Sequence, residues 1–364
     1  MLFSIKVAPV PFLPVPLALR MSRKNTILVT GGSGFIAKHI IRQLLDEGYR
    51  VRASVRSAAR ENEVRLAVGN NIKETVDLEK MLNFVHLDLD SDEGWQEALR
   101  GVGALIHTAS PFPMNQPTNE DDLIRPAVDG TLRALRAAHE AGVERVVMTS
   151  SIVAIIHKRL AAGRSRYNEA DWTDLNSPQA TAYSKSKTLA EKAAWSFVRE
   201  NPEIKLTVIN PGLVLGPTLD AKIGTSLKVV QRLLSGKDPL VPQIGFAIVD
   251  VRDVATMHVR ALQRPESAGS RFIATERFIW MQDMAAILKA EYSERRIPTR
   301  LAPDFLIKLI ALFDRTMKSA VPMLGVEQHL DNTAASEVLG MEFIEARQAV
   351  KTSAASLIRD QLVD

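Results

Sequence analysis

Cysteine is absent from all 364 residues of the sequence. Disulfides, thiolate metal sites and cysteine nucleophiles are therefore excluded, and a reducing cytosol fits this composition. The formal net charge of +4 is spread along the chain, and no run of lysine or arginine resembles a nucleic-acid-binding patch. Internal repeats and low-complexity segments are missing as well. We expect a cytoplasmic protein with no nucleic-acid partner and no bound metal.

Hydrophobic stretches long enough to cross a bilayer are also missing. Residues 1–20 are strongly apolar, but four prolines interrupt them, and no small-x-small cleavage site precedes Met21. We interpret this segment as a non-functional extension with the natural start near Met21; a membrane-targeting leader is the alternative. The chain as a whole is 46% apolar and 24% charged, as is typical of a globular protein, and we expect no membrane partner.

A strand, a glycine turn and a helix open the main body of the chain. Residues 26–29 are β-branched or aliphatic and predict a short buried strand, and Gly31 and Gly34 then allow a sharp turn. A helical pattern of apolar residues begins with Phe35 and Ile36. This corner leaves backbone N–H groups and the positive end of a helix facing a pyrophosphate. The spacing G-x-x-G-x-x-A is not the usual G-x-G-x-x-G, and a glycine turn without a ligand is the alternative.

Strand and helix patterns alternate through the first half of the sequence. The predicted later strands are residues 49–56, 83–89, 104–107 and 145–151, and the predicted helices between them are residues 58–81, 95–100 and 121–142. Such alternation predicts an α/β fold with a doubly wound parallel sheet. We expect residues 21–215 to form the dinucleotide-binding domain, with a strand and helix returning near 246–275, and residues 216–364 to form mainly a smaller C-terminal substrate-binding lobe.

The end of the second predicted strand bears on the choice of cofactor. An Asp or Glu about twenty residues after the glycines binds the ribose hydroxyls of NAD, whereas an Arg accommodates the 2′-phosphate of NADP. No acid occurs between Gly48 and Arg60, and Arg56 lies at the strand end, with Arg52 nearby. The sequence therefore favours NADP. A solvated strand edge is the alternative and would leave the choice open.

Other strand ends carry polar or small residues. Asp88, at the end of the third predicted strand, either accepts from an adenine amine or caps a helix. Thr108 and Ala109 follow the fourth strand and are small enough to let a cofactor pass. His107 lies within an apolar strand, so we interpret it as a buried structural histidine rather than a catalytic base.

Tyr183 and Lys187 lie four residues apart in a helix predicted over residues 179–199, and therefore share one face. An ammonium beside a phenol lowers the phenol's pKa from about 10 towards neutrality, as a proton donor to an alkoxide requires. Lys187 is also suited to hold a nicotinamide ribose. Ser150 and Ser151 place two hydroxyls at the end of the fifth strand. For the Tyr–Lys pair alone, a solvated helix face is the alternative.

Four ordered motifs resemble those of the extended short-chain dehydrogenases/reductases, within the NAD-dependent epimerase/dehydratase superfamily. They are Thr-Gly-Gly-Ser-Gly-Phe-Ile-Ala (30–37), Thr-Ser-Ser (149–151), Tyr-x-x-x-Lys (183–187) and Asn-Pro-Gly-Leu-Val-Leu-Gly-Pro (210–217). Residues 51–56, 107–112, 186–191 and 249–255 are most similar to the dihydroflavonol-4-reductase-like branch. The resemblance covers nearly everything from Thr26 to about residue 275.

The resemblance implies a Rossmann-type fold and a hydride transfer between NADPH and a small carbonyl or alcohol substrate. By analogy, Ser151 binds the substrate oxygen, with Ser150 as the fallback, Tyr183 passes the proton, and Lys187 lowers the tyrosine pKa and binds ribose. It implies a possible homodimer, as is usual among similar proteins. The implied NADP-binding residues are Gly31, Gly34, Phe35, Ile36, Arg56, Asp88, Leu89, Thr108, Ala109, Tyr183, Lys187, Pro211, Gly212 and Leu213.

Two departures from the family pattern concern the substrate. Plant dihydroflavonol reductases have an asparagine five residues after the catalytic serine, and this chain has Ile156 there. The sequence around Tyr183 also differs from the Asn-Trp-Tyr-Cys-Tyr-Gly-Lys signature of cinnamoyl-CoA reductases. We therefore expect a more general aldehyde or ketone reductase. A nucleotide-sugar epimerase or dehydratase with bound NAD, and a non-catalytic NADP-binding sensor, are the alternatives.

The C-terminal lobe carries several helical patterns. Asp253 begins a helix predicted over residues 254–262, as an N-cap or a packing contact. A loop at residues 111–118 is placed to cover the crevice. A helix is also predicted within residues 219–236. Further apolar helical patterns, which line the core, a substrate pocket or a subunit interface, occur at residues 281–288, 306–312 and 317–324.

Overall fold

The computed structural model describes residues 25–111, 119–313 and 321–363. Its centre is a sheet of seven parallel strands: β1 (Thr26–Thr30), β2 (Arg50–Val55), β3 (Leu82–His86), β4 (Ala104–His107), β5 (Arg145–Thr149), β6 (Lys205–Pro211) and β9 (Arg271–Ala274). The strand order is β3-β2-β1-β4-β5-β6-β9. The order reverses between β1 and β4, which is where such sheets bind ligands. The prediction of a Rossmann-type parallel sheet is confirmed.

Helices cover both faces of this sheet. In chain order they are α1 (Phe35–Asp46), α2 (Ala58–Gly69), α3 (Leu78–Met81), α4 (Trp95–Leu99), α5 (Asp121–Glu140), α6 (Ala182–Glu200), α7 (Leu227–Ser235), α8 (Val251–Gln263), α9 (Met281–Glu291), α10 (Asp304–Ile310), α11 (Thr333–Leu339) and α12 (Ala346–Arg359). Helices α1 and α8 pack together on one face, and α5 and α6 on the other. Ile40, Ile41 and Leu44 of α1 are completely buried, and each contributes roughly 2 kcal/mol of hydrophobic stabilisation.

A second, three-stranded sheet lies beyond the main one. It contains β7 (Leu213–Leu215), β8 (Gly245–Asp250) and β10 (Arg277–Trp280), with β8 parallel to β7 and antiparallel to β10. Its core includes residues of α7, α9 and α12. Gly212 joins the two sheets, and a Cβ added there would lie only 2.2 Å from the carbonyl oxygen of Ala247. The close passage of β8 therefore requires glycine at this junction.

Several predicted boundaries differ from the observed ones. Strand β3 ends at His86 rather than Leu89, because the Asp88 carboxylate accepts from the backbone N–H of Asp90 and forms a turn. Helix α6 begins at Ala182 rather than near residue 179, because Thr181 caps it by accepting from Ser184 N. Strand β5 ends before the two serines that were predicted to close it.

Helix α8 begins earlier than predicted, at Val251. Its N-cap is Asp250, whose carboxylate accepts from the backbone N–H of Arg252 at 2.9 Å. Asp253 lies in the first turn, and its carboxylate accepts from the backbone N–H of Ile344 at 2.9 Å. Of the two interpretations of Asp253, the packing contact is therefore the correct one.

Parts of some predictions lie outside the described residues. This holds for the extension at residues 1–20, for nearly all of the loop at 111–118 and for the first part of the helix predicted at 317–324. Val321–Met323 form a single 3₁₀ turn. Within the described ranges, no helix combines the length and apolar character needed to cross a bilayer.

The connection after β7 ties the C-terminal helix to the first helix. The backbone N–H of Gly216 donates to Ser353 Oγ of α12 at 2.7 Å. The next residue, Pro217, has its carbonyl oxygen 3.0 Å from His39 Nε2 of α1. Burial lowers the pKa of His39 to about 3, so the imidazole is neutral and donates from Nε2. The chain's last helix therefore supports the helix that follows the glycine turn.

Candidate active site

The glycine corner presses directly against the end of β4. Gly31 has a φ of +67°, in the left-handed region that favours glycine, and a Cβ added there would lie 3.0 Å from Ala109 Cα. Its N–H donates to Ser54 Oγ at 3.1 Å, and the N–H of Gly34 donates back to the Gly31 carbonyl at 2.8 Å. Phe35 then begins α1. This tight turn brings backbone rather than side chains to the place where a pyrophosphate is expected.

Thr30 organises the end of β4. Its hydroxyl oxygen accepts from the backbone N–H groups of Thr108 and Ala109, each at 3.1 Å. The hydroxyl proton is therefore donated to His107 Nδ1, 2.9 Å away, which places the imidazole proton on Nε2. Burial lowers the pKa of His107 to about 3. The structure agrees with the prediction of a buried, neutral, structural histidine.

The residues expected around the adenosine follow β2 and β3 in the chain. Arg56 is exposed immediately after β2 and forms no ion pair with any described residue. Asp88 is exposed, and its carboxylate accepts the hydrogen bond from Asp90 N that forms the turn. It lies two residues after the end of β3, so its predicted placement at a strand end was wrong. Leu89 packs so closely on α5 that a Cβ added to Gly130 would meet it at 3.0 Å. The cofactor contacts of these residues stay predictions.

Ser151 and Tyr183 are brought together at the carboxyl end of β5. Their side chains form a hydrogen bond, and Ser151 Oγ also lies 3.4 Å from the carbonyl oxygen of Pro211. The backbone N–H of Val153 donates to Ser151 Oγ at 3.3 Å. Lys187, one turn after Tyr183 on α6, is only 8% exposed. The structure therefore assembles the three residues that were predicted to be catalytic, while their roles stay predictions.

The pKa values at the site differ from the prediction. Burial raises the pKa of Tyr183 to about 12, and its hydrogen bond with Ser151 offsets this only in part. Burial lowers the pKa of Lys187 to about 8, against the opposing effect of the Glu191 charge. The predicted lowering of the tyrosine pKa by Lys187 is wrong for this structure, because desolvation of the phenol dominates.

A small cavity with room for about one water molecule lies between α6 and the ends of β4 and β5. Its polar lining includes Lys187, Ser150, Thr149 and His107. Nε2 of His107 is buried without a hydrogen-bond partner among the described residues. The cavity belongs to the same site, because Lys187 forms part of its wall.

Ser150 and Glu191 form a contact that sequence reasoning missed. Ser150 Oγ donates to Glu191 Oε2 at 2.6 Å, so its hydroxyl points to the interior rather than to Tyr183. This geometry favours Ser151 over Ser150, the fallback. Glu191 also forms a buried ion pair with Arg271 of β9. Its one signal in the sequence was its place at the end of the motif at residues 186–191.

The segment after β6 completes the predicted binding residues. Pro211 ends β6, Gly212 donates its N–H to Ala274 O at 3.1 Å, and Leu213 begins β7 and is half-buried.

Within the described ranges, no group of three or more His, Cys, Asp or Glu residues is arranged to hold a metal ion.

The parallel sheet, the glycine corner and the crevice at the strand-order reversal are those of a Rossmann-type dinucleotide-binding protein. The sequence model of the NAD dependent epimerase/dehydratase family matches residues 27–273. Because this match spans more than half of the chain, the chain belongs to that family.

Named relatives are similar over almost the whole length. The NADPH-dependent methylglyoxal reductase GRE2 of Saccharomyces cerevisiae is 32% identical, and the alignment covers 92% of this chain and 98% of that protein. The anthocyanidin reductase of Vitis vinifera is 29% identical, with 85% and 94% covered. The crystal structure of yeast methylglyoxal/isovaleraldehyde reductase Gre2 complexed with NADPH has a TM-score of 0.76 and 30% identity, with 92% and 99% covered. The resemblance to extended short-chain dehydrogenases/reductases of the dihydroflavonol-4-reductase-like branch is confirmed.

Proposed function

We propose that this chain is an NADPH-dependent carbonyl reductase that converts an aldehyde or ketone into the corresponding alcohol. The observation that carries the proposal is the hydrogen bond between Ser151 and Tyr183 beside buried Lys187, at the carboxyl ends of β4 and β5. The proposed reaction type and cofactor agree with those of a relative, GRE2, which is an NADPH-dependent reductase.

The residues present fit a dinucleotide. Gly31 is pressed against Ala109, so side chains are excluded from the turn where a pyrophosphate approaches. Gly34, Phe35 and Ile36 follow at the start of α1, whose N-terminus attracts negative charge. Arg56 is exposed and unpaired within the described ranges, so its guanidinium is available for a 2′-phosphate. Asp88 and Leu89 are proposed to border the adenine, and Thr108, Ala109 and 211–213 the rest of the cofactor.

The side chains of the site have distinct roles in the proposed reaction. Bound NADPH supplies a hydride to the carbonyl carbon. Tyr183 keeps its proton at neutral pH, because burial raises its pKa, and gives that proton to the carbonyl oxygen. Ser151 donates a hydrogen bond to the same oxygen and orients it. Lys187 holds the nicotinamide ribose through its ammonium group.

The proposal is tested with a panel of aldehydes and ketones assayed in parallel with NADPH and NADH. We expect turnover of several neutral carbonyl compounds, with NADPH strongly preferred. Binding of NADPH without oxidation across the whole panel would instead favour a sensor, and purified protein carrying stoichiometric NAD would favour an epimerase.

We further propose that the enzyme acts in the cytosol, on the grounds of its cysteine-free composition. A homodimer is also part of the proposal, by analogy with similar proteins. The oligomeric state is tested by light scattering of the purified protein.

A further inference from the structure

Glu191 lies one helical turn after Lys187 on α6, and its side chain is completely buried. Burying a carboxylate is costly unless hydrogen bonds and a cation accompany it. Its Oε2 accepts from Ser150 Oγ at 2.6 Å and from Asn210 Nδ2 at 2.8 Å. One carboxylate oxygen is therefore bound to the residue after β5 and to a residue within β6.

The other carboxylate oxygen is bound from the far side. Oε1 accepts from Trp195 Nε1 at 3.3 Å and pairs with Arg271 Nε. Arg271 is itself fixed, because its Nη1 donates to the carbonyl oxygens of Glu169 and Asp171 at 2.7 and 2.8 Å. Four donors thus set the orientation of the Glu191 carboxylate.

These contacts lead directly to the proposed catalytic serine. Asn210 Nδ2, which donates to Glu191, also donates to the carbonyl oxygen of Ser151 at 3.1 Å. Ser150, the other donor to Glu191 Oε2, directly precedes Ser151 in the chain. The main chain of Ser151 is therefore held from both sides by groups that donate to Glu191.

Glu191 also acts on Lys187 through its charge. The titratable groups that face Lys187 are Tyr183 and Glu191 on its own helix and His107 from β4. His107 is neutral, so Glu191 is the negative charge that opposes the effect of burial on the Lys187 pKa. Arg271 moderates this charge from the opposite side of the carboxylate.

We propose that Glu191 is a positioning residue of the reductase site. It fixes Ser151 through Ser150 and Asn210, and its negative charge favours the ammonium form of Lys187. The inference rests on the proposed function of the site. An ion pair with a purely structural role would affect neither Ser151 nor Lys187. Such a pair can often be replaced by apolar groups with little loss of stability.

The main test is Glu191→Gln, which keeps the size of the side chain and removes its charge. Glu200→Gln is the matched control, because Glu200 is exposed at the end of the same helix. We expect Glu191→Gln to lower kcat at least about tenfold while KM for the carbonyl changes less than about threefold. We also expect the loss of kcat at high pH to begin about one pH unit lower than in the parent. An unchanged kcat and pH profile in folded Glu191→Gln would overturn the proposal.

Two further variants separate charge from contact. Glu191→Asp keeps the charge but shortens the side chain, so the parent's pH profile should return while kcat stays low. Ser150→Ala removes one contact and no charge, so kcat should fall with no shift in the profile. Parental kcat in Ser150→Ala, or a profile in Glu191→Asp shifted like that of Glu191→Gln, would contradict the proposal. If Glu191→Gln does not fold because Arg271 is left unpaired, the double variant with Arg271→Gln takes its place in the comparison.

NADPH binding, followed by fluorescence over the same pH range, separates this inference from the proposed function. A parent chain that binds NADPH and reduces no carbonyl compound would refute the reductase function alone. In that case a binding profile of Glu191→Gln shifted to lower pH would still support the effect on Lys187, and an unshifted profile would overturn it.

Discussion

The hydroxyl of Ser151 and the phenol of Tyr183 share a hydrogen bond, although one follows a sheet strand and the other lies in the first turn of α6. This contact gives the carbonyl oxygen of a substrate two adjacent O–H groups to approach. The residues proposed to give the proton and the orienting hydrogen bond are therefore held in position by two different elements of the fold.

Replacement of Tyr183 by Phe tests the proton donor. We expect Tyr183→Phe to lower kcat by at least about a hundredfold, since a positioned acid contributes roughly 10²–10⁴-fold. NADPH binding, measured by fluorescence titration, should survive. Tyr292→Phe, at the C-terminal end of α9, is the control and should keep parental kcat. Retained turnover in Tyr183→Phe would remove its assigned role.

Replacement of Arg56 by Ala tests the choice of cofactor. Loss of a charge-assisted contact with a 2′-phosphate costs about 1.5–3 kcal/mol, so we expect NADPH affinity to fall at least about tenfold. NADH affinity should not change, because NADH lacks that phosphate. Arg50→Ala removes an exposed arginine at the other end of β2 and should alter neither affinity. Equal losses for both cofactors in Arg56→Ala would contradict the assignment.

The lowered pKa of Lys187 predicts a pH dependence of turnover. Burial brings this pKa to about 8, so the ammonium form, and with it kcat, should decline as the pH rises through about 8. Lys187→Arg keeps a permanent charge, and its remaining activity should lose this decline. The measurement is kcat against pH for both proteins. The same decline in Lys187→Arg would assign it to another group.

The raised pKa of Asp253 predicts a pH-dependent stability. Burial raises this pKa from 3.8 to about 7, in spite of the hydrogen bond from Ile344 N. Asp253 therefore contributes stability below about pH 4, and the contribution is lost as the pH rises through about 7. The loss has an upper bound of roughly 4 kcal/mol at about 1.4 kcal/mol per pKa unit. Asp253→Asn should thus melt at a higher temperature than the parent at pH 8.

The same two proteins should melt at similar temperatures near pH 4, where Asp253 is protonated. Asp283→Asn is the matched control, because Asp283 lies in the first turn of α9 but is exposed. It should show no such pH-dependent difference. Thermal unfolding followed by circular dichroism at several pH values decides the question, and a parallel loss of stability in Asp253→Asn at all pH values would contradict it.

Local sequence patterns were sufficient to predict a strand whose residues are all buried. All four residues of β4 are buried, and an apolar run of that length predicted its bounds correctly. The glycine corner could also be predicted from the sequence, because the turn needs a residue with left-handed backbone conformation at Gly31. Helix α6 would have been placed correctly if Thr181 had been treated as an N-cap, since its side chain accepts from Ser184 N.

Contacts between residues far apart in the sequence could not be predicted from local patterns. Glu191 and Arg271 are far apart in the sequence, and nothing in either local pattern indicates that they pair inside the protein. The predicted direction of the Tyr183 pKa shift was wrong for a related reason. A spacing of four residues gives the distance to Lys187, whereas the burial that dominates the shift depends on the whole tertiary structure.

The hydrogen bonds from Gly216 to Ser353 and from His39 to the carbonyl oxygen of Pro217 link α12 to α1 through the segment after β7. Ribosomes release the N-terminal end first, and domains complete their packing only when all their parts have emerged. The glycine turn is therefore synthesised long before α12, and the packing around α1 is complete only after α12 has emerged. A nascent chain lacking α12 would carry the entire glycine turn while the segment that contacts His39 lacks its hydrogen bond to Ser353.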